Sequence, residues 1–503
     1  MMDRQRLARA NEAFRTFLAT PLDALLRRAT ERDPGEAALA LFHEVAETVP
    51  AYRDFLARRK VDPGAVRTVD DFRALPLTTK QDYILAYPLP QLCSGGRIDN
   101  CDMVAVSSGS TGTPTFWPRF VADEIPTALR FEQIFHDSFL AQERRTLAVV
   151  CFALGTWVGG MFTASCCRYL AAKGYPVTVV TPGSNWEEIS RVVRDLAPLF
   201  DQTVLLGYPP FLKDVIDGGA AAGIDWRPLR IKLVMAGEVF SEEWRSLVGE
   251  RVGSTDPCYD SAALYGTADA GVLGNETPLS ISIRRFLART PEAARQLFGQ
   301  SRLPTLVQYD PLARYFECLE DGTLLFSGRN GVPLVRYHIA DSGGLVAHDE
   351  MLHFLADWRF DPHDDLAEHG WRGDRPLPFV YVFGRSNFAV SYFGANVYPE
   401  NVSVALEQPG IRDWVTGKFV LEAKEGLEDA PHLAVTVELA PGQEATPDKA
   451  EAIAEAVLAQ LLRLNSEFAN YTPAAYQRPR VSLRPAGDPE WFPPGIKHRY
   501  TRS

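Results

Sequence analysis

The sequence predicts an α/β protein in two parts: a large N-terminal unit with mainly parallel sheets plus antiparallel strands, and a small α+β C-terminal unit. Three observations lead there. The chain has 503 residues, too many for one core when domains run to about 100–200 residues. From Val104 onward, short β-branched runs alternate with helical segments, as at Leu147–Leu154, Val177–Thr181, Thr203–Leu206 and Ile231–Met235. Strands buried on both faces of a parallel sheet read as such continuous apolar runs. Finally, the texture changes twice: near Asp321–Ala347, where Thr323–Ser327 and Leu334–His338 look like antiparallel strands, and again after Gly384.

Taken in order, residues 1–95 form a helical lead-in, with apolar positions at helical spacing in Ala37–Val49 and Tyr52–Ala57. Thr146–Cys167 carries no charge and is long enough to span a membrane. Its glycines, and the strand pattern that follows at Val177, make it instead a buried strand, a glycine turn and a buried helix reaching Ala172. Residues 355–377, rich in Asp, His, Arg and Pro, read as an exposed insertion. The C-terminal unit carries strands at Lys418–Leu421 and Leu433–Leu439, a helix at Asp448–Leu464 and a last strand at Arg480–Leu483.

Composition excludes some functions. The net charge is −12, so the overall field gives no help in binding nucleic acid or an anionic membrane, and neither is an expected partner. The seven cysteines form no CxxC pair, which argues against a disulfide or zinc framework and for a reducing cytoplasm. The N-terminus is charged and lacks an apolar stretch, so no signal peptide is expected. His348, His353 and His363 lack the spacing of a helical metal site and read as a solvated loop.

The most informative segment is Val104-Ala-Val-Ser107 running into Ser108, Gly109, Ser110, Thr111, Gly112, Thr113, Pro114 and Thr115. Glycines let successive N–H groups turn inward to make an anion-binding concavity, and hydroxyls add donors. It is not a Walker loop, since no Gly-Lys-Ser/Thr is present. The flanking strand patterns argue against a flexible linker.

Ser107–Thr115 resembles the phosphate loop of the adenylate-forming superfamily, which includes acyl–coenzyme A synthetases, adenylation domains and luciferases. Val49-Pro-Ala-Tyr-Arg, Asp70–Tyr83 and Gly155-Thr-Trp-Val-Gly-Gly-Met-Phe are similar to the phenylacetate–coenzyme A ligase branch. The resemblance implies a large domain over residues 1–386 that binds ATP and an acid, and a small mobile domain over 387–503.

Further motifs take roles from the same resemblance. Gly237-Glu238, after the strand ending at Met235, would lie against adenine, although on its own Glu238 reads as a solvent-facing turn residue. Tyr265-Gly266-Thr267-Ala268-Asp269 resembles a motif whose ring stacks on adenine, whose hydroxyl touches phosphate and whose acid binds Mg²⁺. This chain has Ala268 at the hydroxyl position and Asp269 in place of Glu; Thr267 would supply the hydroxyl, and the shorter Asp269 implies a shifted metal. Asp341, in Arg336-Tyr-His-Ile-Ala-Asp341, would accept the ribose hydroxyls. Arg385 would reach ribose or phosphate. Asn387 would be the hinge, and Tyr392–Glu400, with Asn396 among the nucleotide-binding residues, would open the mobile domain. Lys497, in the glycine-led terminal loop, would stabilise charge during adenylation.

Trp157, Phe152, Tyr208 and Ala236 are the expected walls of an acid pocket, and aromatic walls favour an aromatic acid. The implied reaction uses ATP and Mg²⁺ to adenylate a small carboxylic acid, then forms a thioester with coenzyme A. Two alternatives stay open. The adenylate could meet an amine, or the activated acid could be nitrite delivered to an aryl amine; or the chain could be a catalytically silent nucleotide-binding protein. The expected partners are the small-molecule acid and acceptor, with a homodimer left open.

Overall fold

The computed structural model describes residues 4–99, 101–107, 115–300, 302–370, 373, 375–384, 390–424, 431–493, 498, 500 and 501. Eighteen strands are numbered here in chain order. They are β1 (Met103–Val106), β2 (Phe116–Arg119), β3 (Thr146–Val150), β4 (Val177–Val180), β5 (Gln202–Gly207), β6 (Ile231–Ala236), β7 (Ser261–Thr267), β8 (Gly271–Asn275) and β9 (Thr305–Gln308). The rest are β10 (Arg314–Cys318), β11 (Thr323–Gly328), β12 (Leu334–Val346), β13 (Phe379–Gly384), β14 (Val390–Tyr392), β15 (Ala395–Val397), β16 (Val415–Lys424), β17 (His432–Leu439) and β18 (Arg480–Arg484).

Eleven strands form one sheet in the order β10-β11-β12-β13-β9-β8-β7-β6-β5-β3-β4. From β7 to β4 the pairings are parallel; from β7 to β10 they are antiparallel. The parallel half is covered on both faces, as its apolar runs predict. Leu147 and Val149 of β3 face one helical layer while Ala148 and Val150 face the other, the period-2 alternation of a strand. The first layer includes Trp186–Leu196, Pro209–Ala221 and Glu242–Val252; the second includes Val121–Gln133 and Val158–Ala172. Within the helical lead-in, Phe17 packs with the second layer and Leu22 and Leu26 pack against its Leu129, while later residues pack elsewhere. Phe42, Tyr52 and Phe72 share a core with Phe326 and Tyr337 of the antiparallel half.

The charge-free stretch is a strand and a helix, but the strand stops at Val150 rather than Leu154. Residues 151–157 form the turn, and Gly155 there has φ +81°, open to glycine at little cost. Among the described residues no helix is long and apolar enough to cross a membrane.

One expectation is sharpened. Most described residues of 355–377 are exposed, but the stretch is not a bare loop. Helix His348–Asp357 runs into them and helix Pro362–Ala367 lies within them. Met351, Leu355 and Leu366 are fully buried, and Phe360 stacks on Phe286 at 4.2 Å. The polar residues that suggested a loop are the outer faces and caps of these helices, such as Asp361 accepting the His363 amide. The His348–His363 stretch is accordingly helical rather than a loop.

The C-terminal residues have their own core. Tyr392, Val402, Phe419, Leu421, Val435, Ile453 and Phe468 cluster together, all from beyond residue 390. Their sheet runs β16-β17-β18, with helix Pro447–Leu464 against it. The end of the chain is fastened to β16: Leu421 N–H donates to the Tyr500 carbonyl at 2.7 Å and bridges to Thr501. The expected boundary at 386/387 and the hinge Asn387 lie outside the described residues.

Candidate functional site

Three neighbouring parallel strands, β5, β6 and β7, end on the same edge of the sheet, where an open α/β sheet leaves room for a ligand. β5 ends before Tyr208, which starts helix Pro209–Ala221. β6 runs into Gly237 and Glu238; Gly237 has φ +94°, a left-handed turn that favours glycine. A Cβ on Gly237 would sit 3.6 Å from the Tyr208 ring. Glu238 does not simply face solvent, because the Tyr208 phenol donates to it at 2.7 Å. Burial, and then the Glu238 carboxylate, pushes that phenol well above its ordinary range.

β7 carries Tyr265, Gly266 and Thr267, and β12 carries Tyr337 and Asp341. The two segments lock together by a crossed pair of hydrogen bonds. Tyr265 Oη donates to Asp341 Oδ2 at 2.8 Å, and Tyr337 Oη donates to Asp269 Oδ2 at 2.6 Å. Each segment has Tyr and Asp four residues apart, and each tyrosine holds the other segment's acid. Tyr265 and Asp341 are 8% and 7% exposed, so that bond is shielded enough to fix geometry, while the Tyr337–Asp269 bond is part-buried. The Tyr265 ring lies nearly parallel to Phe316, at 24° and 6.5 Å. Asp341 reaches this position from an irregular stretch of β12. Ala340 has φ +61°, and the register against β13 shifts at Ser342/Gly343. Such a bulge re-aims a side chain.

Thr267 Oγ1 accepts the Ala270 amide at 3.0 Å, which tightens the turn and still leaves its O–H to donate. Asp269 is the one acid of this turn. No group of three or more His, Cys, Asp and Glu is placed to hold a metal ion among the described residues. A Mg²⁺ ion held by one carboxylate and the phosphates of ATP fits that donor set, since Mg²⁺ keeps several waters and takes few protein ligands.

The expected phosphate loop lies in sequence between β1 and β2, which pair antiparallel with Val106 opposite Phe116. Ser107 and Thr115 close its base: Ser107 N–H donates to the Thr115 carbonyl, Thr115 N–H donates to Ser107 Oγ, and the two hydroxyls lie 2.9 Å apart. Ser108, Gly109, Ser110, Thr111, Gly112 and Thr113 lie outside the described residues, as do Arg385 and Lys497. Val106 N–H donates to the Thr156 carbonyl, which ties the hairpin to the glycine turn.

Of the expected acid-pocket walls, Phe152 and Ala236 pack against the same core and Tyr208 borders Gly237. Trp157 is 46% exposed beside the hairpin. Asn396 is exposed on β15. Its N–H donates to Glu467 and its carbonyl accepts from Asn465, so these bonds hold it within the C-terminal core.

No family model matches this sequence. It is 24% identical to the phenylacetate–coenzyme A ligase of Aromatoleum evansii over 225 residues, 44% of this chain and 47% of the relative. It is 24% identical to that of Thermus thermophilus over 400 residues, 78% of each chain. The chain thus matches about half the length of the first two curated relatives and more of the third. In structure it matches a 2-hydroxyisobutyryl-CoA ligase in a postadenylation state bound to an acyl-AMP. The TM-score is 0.65 at 15% identity, covering 93% of this chain and 87% of that one. The same ligase in its thioesterification state with CoA matches at 0.52 and 16% identity, covering 93% and 89%. The chain has the fold of the adenylate-forming enzymes.

In that adenylate-forming fold the described tail residues reach the site edge. Tyr500 is pushed far above its ordinary value by burial and then by the Glu238, Glu407, Asp214 and Glu400 carboxylates. Two of these belong to the large body and two to the C-terminal part. Sequence reasoning missed Tyr500 and Tyr337. Tyr337 carried a signal, the repeated Tyr-x-x-x-Asp spacing. Tyr500 carried none, because its neighbours are distant in sequence.

Proposed function

We propose that the protein is an AMP-forming acid–thiol ligase that adenylates a small carboxylic acid, aromatic by the expected pocket, and passes the acyl group to coenzyme A. The crossed Tyr265–Asp341 and Tyr337–Asp269 pair carries this reading. It ties together Tyr265, Asp269 and Asp341, which this reading assigns to adenine, metal and ribose.

In the proposed scheme a carboxylate oxygen attacks the α-phosphorus and pyrophosphate leaves. The thiolate then attacks the acyl carbonyl and AMP leaves. Bound Mg²⁺ would neutralise phosphate charge. Asp341 would orient the ribose through its carboxylate, and Tyr265 would hold Asp341 in place while bordering adenine. Thr267 would donate its O–H to phosphate, Ser107 and Thr115 would keep the loop mouth closed, and Lys497 and Arg385 would add positive charge. Rotation at Asn387 would exchange the small domain's contacts between the two steps.

ATP–pyrophosphate exchange with a panel of aryl and alkyl acids, and with nitrite plus aryl amines, tests the first step. Acceptor trials with coenzyme A and amines test the second. Exchange with aryl acids followed by thioester is the expected result. Exchange without thioester would sink the thiol-ligase reading, and no exchange with any acid would sink adenylation.

A further inference from the structure

Asp269 replaces a longer acid, so its position must be set by something other than reach. The structure supplies two buried arginines. Arg119, the last residue of β2, is 1% exposed, and its Nη2 donates to the Ala268 carbonyl. Arg314, the first residue of β10, is 3% exposed, and its Nη2 donates to the Ala270 carbonyl at 3.1 Å. The carbonyls on either side of Asp269 are therefore each held by a guanidinium, while Tyr337 holds the carboxylate itself.

Room is made for both. A Cβ on Gly331 would lie 2.0 Å from the Pro118 carbonyl, so β2 can pass only over a glycine. A Cβ on Gly328 would lie 3.0 Å from Arg314 Nη1. Arg314 is further fixed by Asn330 Oδ1 at 3.1 Å and the Ala313 carbonyl at 2.8 Å. Burial costs both cations. It pulls Arg119 below its usual value, against Asp123, Asp269 and Glu124, and lowers Arg314 to about 10. Both stay charged at neutral pH. The Nε atoms of both arginines are buried without a hydrogen-bond partner. Two buried, incompletely satisfied cations are an expensive way to hold a turn when stability alone is needed.

We propose that Arg119 and Arg314 are positioning residues that set the Asp269 carboxylate for the Mg²⁺ of MgATP. The inference rests on the nucleotide reading above. A neutral side chain at 119 would leave the Ala268 carbonyl unheld and let the turn rotate.

The test is nucleotide binding by calorimetry, with MgATP and with ATP in EDTA, on the full-length protein. The variants are Arg119→Met, Arg119→Lys and the near-isosteric Tyr337→Phe, each checked for an unchanged circular dichroism spectrum. Wild type should bind MgATP more tightly than metal-free ATP. Arg119→Met should lose about tenfold in MgATP affinity, the size of a hydrogen bond to a charged group, and bind metal-free ATP unchanged. Arg119→Lys should recover part of the loss, since one donor and the charge remain but the planar fork does not. Tyr337→Phe should weaken MgATP selectively too. Equal loss for both forms of ATP, or none for either, overturns the positioning role. If wild type binds no nucleotide at all, the functional reading fails instead. Where exchange is measurable, KM for MgATP should rise in Arg119→Met and KM for the acid should not.

Discussion

The nucleotide edge and the seam to the C-terminal part are built differently. At the edge, the contacts are short, shielded and internal to the large body: Tyr265 to Asp341, Tyr337 to Asp269, and Arg119 and Arg314 to the flanking carbonyls. At the seam, a few polar pairs join separate cores. Ser241 donates to Glu407, Lys418 pairs with Asp214 at 2.6 Å, and Arg412 pairs with Glu250 at 2.9 Å. Arg302 lies over the Tyr398 ring at 3.8 Å. Binding groups held from several sides are preorganised before substrate arrives. A seam of separable polar pairs can be broken without exposing a core, which would suit the proposed rotation of the C-terminal part.

The largest effect is expected at Lys497, the residue proposed to stabilise charge in the first step. Lys497→Ala should slow ATP–pyrophosphate exchange by about a hundredfold, the cost of losing an electrostatic group aimed at developing charge. Acyl transfer from a supplied acyl-adenylate should change far less. Full exchange in that variant would show that the tail does not serve the first step.

Breaking the edge comes next. Asp341→Asn should raise KM for ATP by roughly tenfold, because it weakens a charge-assisted acceptor and the partner of Tyr265. The melting temperature should stay close to wild type. A collapse in stability with no selective change in KM would make the pair architectural.

Loosening the seam should do less. Asp214→Asn leaves Lys418 with Glu438 at 3.6 Å, and should shift the ratio of the two half-reaction rates by about threefold, in line with a partly exposed ion pair. Equal slowing of both steps would mean that the pair does not bias domain position.

The smallest effect is a pH dependence. Burial holds the Glu407 carboxyl up to about 8, with Glu243 pushing the same way and Ser241, Lys213 and Arg284 opposing. The folded protein therefore holds this proton more tightly than the unfolded chain, whose carboxyl titrates near 4.5. Its contribution is full below about 4.5, falls as pH rises, and is gone above about 8. Glu407→Gln should flatten that part of the melting curve between pH 5 and 9, by on the order of 1–3 °C. Parallel curves for the two proteins would place Glu407 in water in the folded state.

Much of this was legible in the chain. Apolar runs located β3, β5 and β6 because a doubly covered strand has no polar face to hide. The glycines and hydroxyls of Ser107–Thr115 read as an anion site, and a motif resemblance singled out Tyr265–Asp269. The stretch 355–377 is equally instructive. Short helices with acidic caps look like loops when only their outer faces are counted, and the buried Met351, Leu355 and Leu366 reveal the packing.

By itself the sequence determined the strand-and-helix alternation, the loop between β1 and β2, and the order of the motif segments, because these depend on local pattern and backbone freedom. Only the tertiary structure decided which acid each tyrosine holds, and that Arg119 and Arg314 hold the carbonyls on either side of Asp269. Those pairings join residues 44 to 149 positions apart in the chain. No periodicity encodes a contact of that span; it exists only once eleven strands are laid in one order.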